Sequence, residues 1–202
     1  LFAITRGFLE SAARARGIRV CVQSVTLCAY CAEHALLLML ALTRRLVETR
    51  AACLEASHGR EPRRTDEDTF AYNWLGRRDL GTLSGATVGI LGMGEIGVEL
   101  ARRLRPFGPA RVRYHKRRRY PEAVERELGI AWASWDDTVA GASFVVCLLP
   151  YHASTDGVVG AGTFAAMAPG GFLVQVGSGS VVDEGALLAA LGSGRLGGAA
   201  LD

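Results

Sequence analysis

The chain has 202 residues, half of them apolar and a fifth charged, with 25 Gly against 6 Pro, which fits one globular domain with part of another. That composition excludes a disordered or collagen-like chain. Lys and Arg exceed Asp and Glu by 23 − 20 = +3, too small a surplus for a dedicated nucleic-acid or membrane binder unless the charge is clustered.

In chain order, residues 1–27 hold two short extended segments, Leu1–Thr5 and Ile18–Val22, joined by an Ala/Arg-rich helical segment, Glu10–Arg16. They are too few to bury a core of their own. From Ala29 to about Ser57 the pattern predicts one long helix, apolar at its start and mixed with Arg44, Arg45, Glu48 and Arg50 toward its end. Its longest apolar run, Ala35–Leu42, falls short of the roughly 20 residues that cross a bilayer, and the first residues show no basic-then-apolar signal pattern. A soluble, cytoplasmic protein is expected. The odd set Cys21, Cys28, Cys31, Cys53 and Cys147 argues for reduced thiols rather than a disulfide framework. Residues 58–79, rich in Arg, Asp and Glu, read as an exposed connection. Leu1 in first place and a strand interrupted at Asp202 read as an excerpt of a longer chain.

From Ala86 onward strands and helices alternate. Thr87–Leu91, Arg111–Tyr114, Phe144–Leu149, Phe172–Val176 and Ala199–Leu201 have strand character; Glu95–Pro106, Glu122–Leu128, Asp136–Ala140, Gly162–Met167 and Asp183–Leu191 have helical character. This spacing predicts an α/β fold with a doubly wound parallel sheet.

The sharpest local signal is Gly92-Met93-Gly94-Glu95-Ile96-Gly97, which follows an apolar strand and opens an amphipathic helix. Gly92 suits a tight turn, Gly94 lets a pyrophosphate approach the backbone, and Gly97 lets helix and strand pack closely. Free N–H groups at the helix start then face the phosphate charge. A ligand-free tight turn is the plainer alternative. A free ribose 2′-hydroxyl calls for an acidic acceptor about 20 residues past the turn. Here the second strand runs instead into Lys116-Arg117-Arg118-Arg119. A 2′-phosphate offers oxygens that Arg binds bidentately, each charge-assisted bond worth about 1.5–3 kcal/mol. NADP is therefore favoured, with NAD as the alternative cofactor. A solvated basic turn is the alternative reading of the cluster. Nucleic-acid binding is not favoured, because neither aromatic interleaving nor a recognition motif accompanies it.

The order of motifs resembles the D-isomer-specific 2-hydroxyacid dehydrogenases, a family that includes phosphoglycerate, glyoxylate, formate and phosphite dehydrogenases. The resemblance is carried by residues 13–20, Ala32-Glu33-His34, and Leu83 through Gly97. It continues in Leu149-Pro150 with Thr155, Met167 to Gly170, Val181 to Leu191, and Gly194 to Asp202. It implies a Rossmann coenzyme domain over residues 28–202, preceded in residues 1–27 by the remnant of a smaller substrate domain, and a homodimer through the coenzyme domain. It implies that Glu95 and Ile96 meet the pyrophosphate, that Lys116, Arg117 and Arg118 stand where most members bind ribose with Asp, and that Leu149 and Pro150 lie beside the adenosine. Thr155, Val176, Gly177 and Ser178 also join the cofactor site, and Asp202 binds the nicotinamide amide. In the family an Arg holds the substrate carboxylate, while a His, oriented by a Glu, moves the hydroxyl proton. The Arg motif, usually Asn-Val-Gly-Arg-Gly, here reads Gln175-Val176-Gly177-Ser178-Gly179. The Glu and His fall beyond Asp202 by this correspondence. Arg6 stands near a family cation and is a candidate anion contact; a surface Arg after a strand is the alternative.

Other chemistry-bearing residues receive plainer readings. Cys28 and Cys31 have redox or zinc spacing without a second ligand pair, so apolar packing is expected and no metal site is assigned. His34 reads as structural, His115 and His152 as cofactor contacts by position alone, His58 as solvated, and Trp74, Trp132 and Trp135 as core or interface anchors. Two functions follow: a hydride-transferring oxidoreductase acting on a small 2-oxo or 2-hydroxy acid, or a catalytically impaired dinucleotide-binding module, the choice turning on Ser178.

Overall fold

The computed structural model describes residues 11–19, 26–55, 66–68 and 75–202. Arg6, Cys21, His58, Trp74 and the segments Leu1–Thr5 and 20–25 lie outside the described residues. Before the sheet come a helical turn at 11–14, helix α1 (Thr26–Thr43) and helix α2 (Leu46–Leu54). The single helix expected over Ala29–Ser57 is thus two. The break falls at Arg45, whose backbone is left-handed (φ 48°) and whose guanidinium donates to Gly197 O at 2.8 Å. The end of the connection is tied to the same corner, since Asp79 lies 3.7 Å from Arg45 and Gly81 N–H donates to Thr43 O.

The sheet runs β1 (Thr87–Leu91), β2 (Arg111–His115), β3 (Ala131–Trp132), β4 (Phe144–Cys147), β5 (Gly171–Gln175) and β6 (Leu196–Leu201). All pairings are parallel, in the order β3-β2-β1-β4-β5-β6. Between the strands lie α3 (Glu95–Leu104), α4 (Glu122–Leu128), α5 (Trp135–Val139), α6 (Ala161–Ala166) and α7 (Glu184–Gly192). The expected doubly wound fold is present, but β4 stops at Cys147 rather than Leu149, β6 begins at Leu196 rather than Ala199, and the two-residue strand β3 gave no sequence signal.

Alternation along the central strands builds two cores. From β4, Phe144 and Val146 face a layer with Ala32, Ala35, Met39, Ile90, Leu100 and Tyr114, while Val145 and Cys147 face Val139, Phe164, Leu173 and Leu187. Helix α1 has the length and hydropathy of a membrane span, more than its unbroken apolar run suggested. In this fold its Ala32, Ala35, Met39 and Thr43 are buried against α3 and the sheet. The chain order reverses between β1 and β4, so every strand ends on the edge where their loops diverge and open a crevice.

Candidate functional site

The crevice is built on missing side chains. Gly92 closes β1 with φ +93°, and a Cβ there would lie 2.9 Å from the Leu148 backbone carbon, so β1 and β4 approach only because both the dihedral and the space demand glycine. On the other flank of β4, a Cβ on Gly177 would stand 2.5 Å from Leu149 O. A Cβ on Gly97 would meet Met93 Sδ at 2.8 Å, which explains its close helix–strand packing. Gly94 differs: a Cβ there would meet nothing within 4 Å. Its φ of −98° suits any residue, so what glycine provides at 94 is bare backbone facing open space.

Ser134 and Asp183 cap α5 and α7 with their own oxygens, whereas α3 starts at Gly94 with no capping side chain. The first intrahelical bond is Val98 N–H to Gly94 O, so the N–H groups of Glu95, Ile96 and Gly97 precede the ladder and point out of the helix end. Donors, positive dipole end and open space over Gly94 together fit a dinucleotide pyrophosphate.

Glu95 puts a carboxylate on that first turn. Cys28, in the first turn of α1, donates its S–H to Glu95 Oε2 at 3.5 Å. Burial, then Glu95, pushes the Cys28 thiol up. Purely apolar packing, expected for Cys28, is therefore corrected to a polar, half-buried contact. Below it, Arg103 bridges Glu33 at 3.0 Å and Glu99 at 2.6 Å, locking α1 to α3. Cys147, by contrast, is buried beneath the crevice and its thiol is pushed up to about 11.

The basic cluster follows β2, beside the glycine turn, since Gly92 N–H donates to His115 O. Its four cations are not equivalent. Arg119 is drawn away to Glu125, donating at 3.0 and 2.7 Å. Lys116 Nζ sits 3.8 Å from the Tyr120 ring centroid. Arg117 and Arg118 are exposed, and neither meets a carboxylate among the described residues. Sequence reasoning missed Tyr120 and Glu125, which shape this loop; an aromatic residue four positions after Lys116 was the available signal. His115 bonds Ala133 O through Nδ1 at 3.0 Å and meets the Trp135 ring edge-on. Trp132, expected as a core or interface anchor, is 40 % exposed and donates to Lys116 O, so it lies outside the core and braces the loop.

The remaining expected contacts share this edge. After β4, Leu149 and Pro150 lead to Thr155, whose hydroxyl accepts from His152 N–H at 2.8 Å and faces Pro150 O at 3.0 Å. After β5, Val176, Gly177 and Ser178 form a half-buried loop: Ser178 N–H donates to Leu149 O, and the Gln175 amide donates to Ser178 O at 2.5 Å. After β6, Asp202 N–H donates to Gln175 O, and its carboxylate lies 3.7 Å from His34 Nε2. Among the described residues no three His, Cys, Asp or Glu side chains gather as metal ligands.

A family model described as the D-isomer specific 2-hydroxyacid dehydrogenase NAD binding domain matches residues 36–202. The chain belongs to this family. Among its relatives, a glyoxylate reductase of Thermococcus kodakarensis is 37% identical over 195 residues, 96% of this chain and 55% of that protein. A glyoxylate/hydroxypyruvate reductase B of Salmonella newport is 36% identical over 171 residues, 85% of this chain and 49% of that one. A solved Granulicella formate dehydrogenase superposes with a TM-score of 0.76 at 28% identity, covering 95% of this chain and 48% of that one. The chain thus spans about half the length of the dehydrogenases and reductases it matches. Membership of the family makes this a nicotinamide-dinucleotide-binding domain.

Proposed function

We propose that the protein is the coenzyme-binding part of an oxidoreductase that interconverts a small 2-oxo acid and its 2-hydroxy acid, with NADPH preferred over NADH. The observation that carries this reading is the uncapped N-terminus of α3 over open space at Gly94, at the point where strand order reverses. The relatives' names support the substrate class and make glyoxylate and hydroxypyruvate the first compounds to assay. They lend no support to the impaired-module alternative. Residues 1–27 we assign to the adjoining substrate domain.

When bound, the reduced nicotinamide supplies a hydride. The chain's own part is to bind and orient. The N–H groups of Glu95, Ile96 and Gly97 hold the pyrophosphate, and Lys116, Arg117 and Arg118 hold the 2′-phosphate. Leu149, Pro150, Thr155, Val176 and Gly177 wall the crevice, and Asp202 accepts from the carboxamide. Ser178 contributes a neutral hydroxyl, so the substrate anion is held by another cation, for which Arg6 is the first candidate. For self-association we infer a homodimer through the outer face of α1 and α2. There Leu27, Tyr30 and Leu37 of α1 and Leu46, Val47 and Leu54 of α2 are all exposed.

The cofactor preference is tested by titrating NADPH and NADH into the protein. NADPH is expected to bind about tenfold tighter, and Lys116→Asp with Arg117→Ala to reverse the order. Equal affinities before and after would remove the basic cluster from the cofactor site.

A further inference from the structure

The loop that carries the basic cluster is bolted to the glycine turn. Tyr120 O–H donates to Met93 O, between the first two glycines, at 3.2 Å. Tyr120 N–H donates to the Tyr114 hydroxyl at 2.8 Å, and Tyr114 in turn donates to Glu125 Oε1 at 2.8 Å. Arg119 closes the chain on Glu125. Tyr114 is fully buried and packs its ring against Tyr120, centroids 5.8 Å apart. Over the outer part of this assembly lies the Lys116 ammonium, 3.8 Å from the Tyr120 ring centroid, and the Lys116 carbonyl is held by the Trp132 indole.

Three adjacent cations on a short loop repel one another and spread unless something fixes them. A long Lys side chain also surrenders rotamer freedom when it binds an anion. Tyr120 addresses both: its ring face attracts the ammonium, and its hydroxyl and amide fix the ring relative to the turn. Arg119 anchors the loop rather than facing a ligand, which leaves Lys116, Arg117 and Arg118 on the open side.

We propose that Tyr120, held between Met93 O and the Tyr114–Glu125–Arg119 chain, is a positioning residue that pre-sets Lys116 and its neighbours for a 2′-phosphate, so that NADP selectivity depends on an aromatic ring that never touches the phosphate. This rests on the NADP reading above. Its consequence is specific: loss of the ring weakens NADPH binding and leaves NADH binding alone, because only NADPH carries the group that Lys116 meets.

The test is the ratio of NADH to NADPH dissociation constants, measured by titration of the protein and its variants at one salt concentration. Tyr120→Leu is expected to lower NADPH affinity roughly 3–10-fold with NADH within twofold of wild type. Tyr120→Phe, which keeps the ring face, should restore most of the ratio. Combining Tyr120→Leu with Lys116→Met should lose no more NADPH affinity than Lys116→Met alone. Where Tyr120→Leu lowers the folded fraction, Tyr120→Met keeps bulk without a ring and is read the same way. A folded Tyr120→Leu or Tyr120→Met variant with the wild-type ratio overturns the positioning role. A wild-type ratio of one overturns the NADP reading itself and the proposal with it.

Discussion

Gly92 and Gly94, two residues apart, answer to different demands. Gly92 serves the fold: a side chain there meets the β4 loop backbone at 2.9 Å from a left-handed dihedral. Gly92→Ala is expected to cost about 1–3 kcal/mol of stability. Gly94 meets no such constraint, since its surroundings are open, and in the proposed function it serves the ligand. Gly94→Ala should leave thermal unfolding near wild type while weakening NADPH binding about tenfold, by setting a methyl group among the free N–H donors. Melting curves and NADPH titrations of the two variants check this; a Gly94→Ala protein that binds as wild type would contradict it. These positions could be read from sequence because the glycine spacing falls between an apolar strand and an amphipathic helix, although clearance demands glycine only at Gly92 and Gly97. Tyr120, Glu125 and the Cys28–Glu95 contact could not, because each takes its meaning from a partner in another element: Tyr120 reaches back 27 residues to Met93, and Cys28 forward 67 to Glu95.

At the scale of elements, the β2–α4 connection is held by one buried carboxylate. The Arg119 guanidinium, opposed by partial burial and aided by the Tyr114 hydroxyl, holds the Glu125 carboxyl below its ordinary range. Burial pushes the Tyr114 hydroxyl up to about 12, so it stays a donor at neutral pH. A lowered carboxyl pKa means that the native state binds fewer protons than the unfolded chain. The stabilisation is therefore complete above the ordinary carboxylate range and is lost as pH falls through the lowered value. Glu125→Gln should destabilise the protein near neutral pH, and the difference from wild type should shrink at about pH 3. Urea unfolding at both pH values measures it, and a pH-independent difference would show that the charge on Glu125 is immaterial. The elements themselves were largely readable, because alternating short apolar runs and amphipathic stretches mark strands and helices. The α1–α2 break was not: neither Gly nor Pro marks it, and Arg45 is turned by a carbonyl 152 residues away.

For the whole molecule, the parallel order follows from strand–helix alternation and could be anticipated, and the site falls where that order reverses. Which strand end would carry extra anchors could not, since a two-residue β3 and the Trp132 brace emerge only from packing. The outer face of α1 and α2 sets a further expectation. If the proposed homodimer forms through it, Leu37→Glu with Val47→Glu, at 55 % and 78 % exposure, should shift sedimentation from dimer to monomer without lowering the folded fraction; an unchanged dimer would place the contact elsewhere, and a monomeric wild type would overturn the dimer. In the proposed function a dinucleotide's phosphates lie against the first turn of α3, with a third phosphate on the loop after β2. Backbone amide resonances followed during an NADPH titration test it most directly. The largest shifts are expected at Gly94, Glu95, Ile96 and Gly97, with a second group at Arg117 and Arg118 that NADH does not produce. Shifts centred on any other part of the molecule would contradict it.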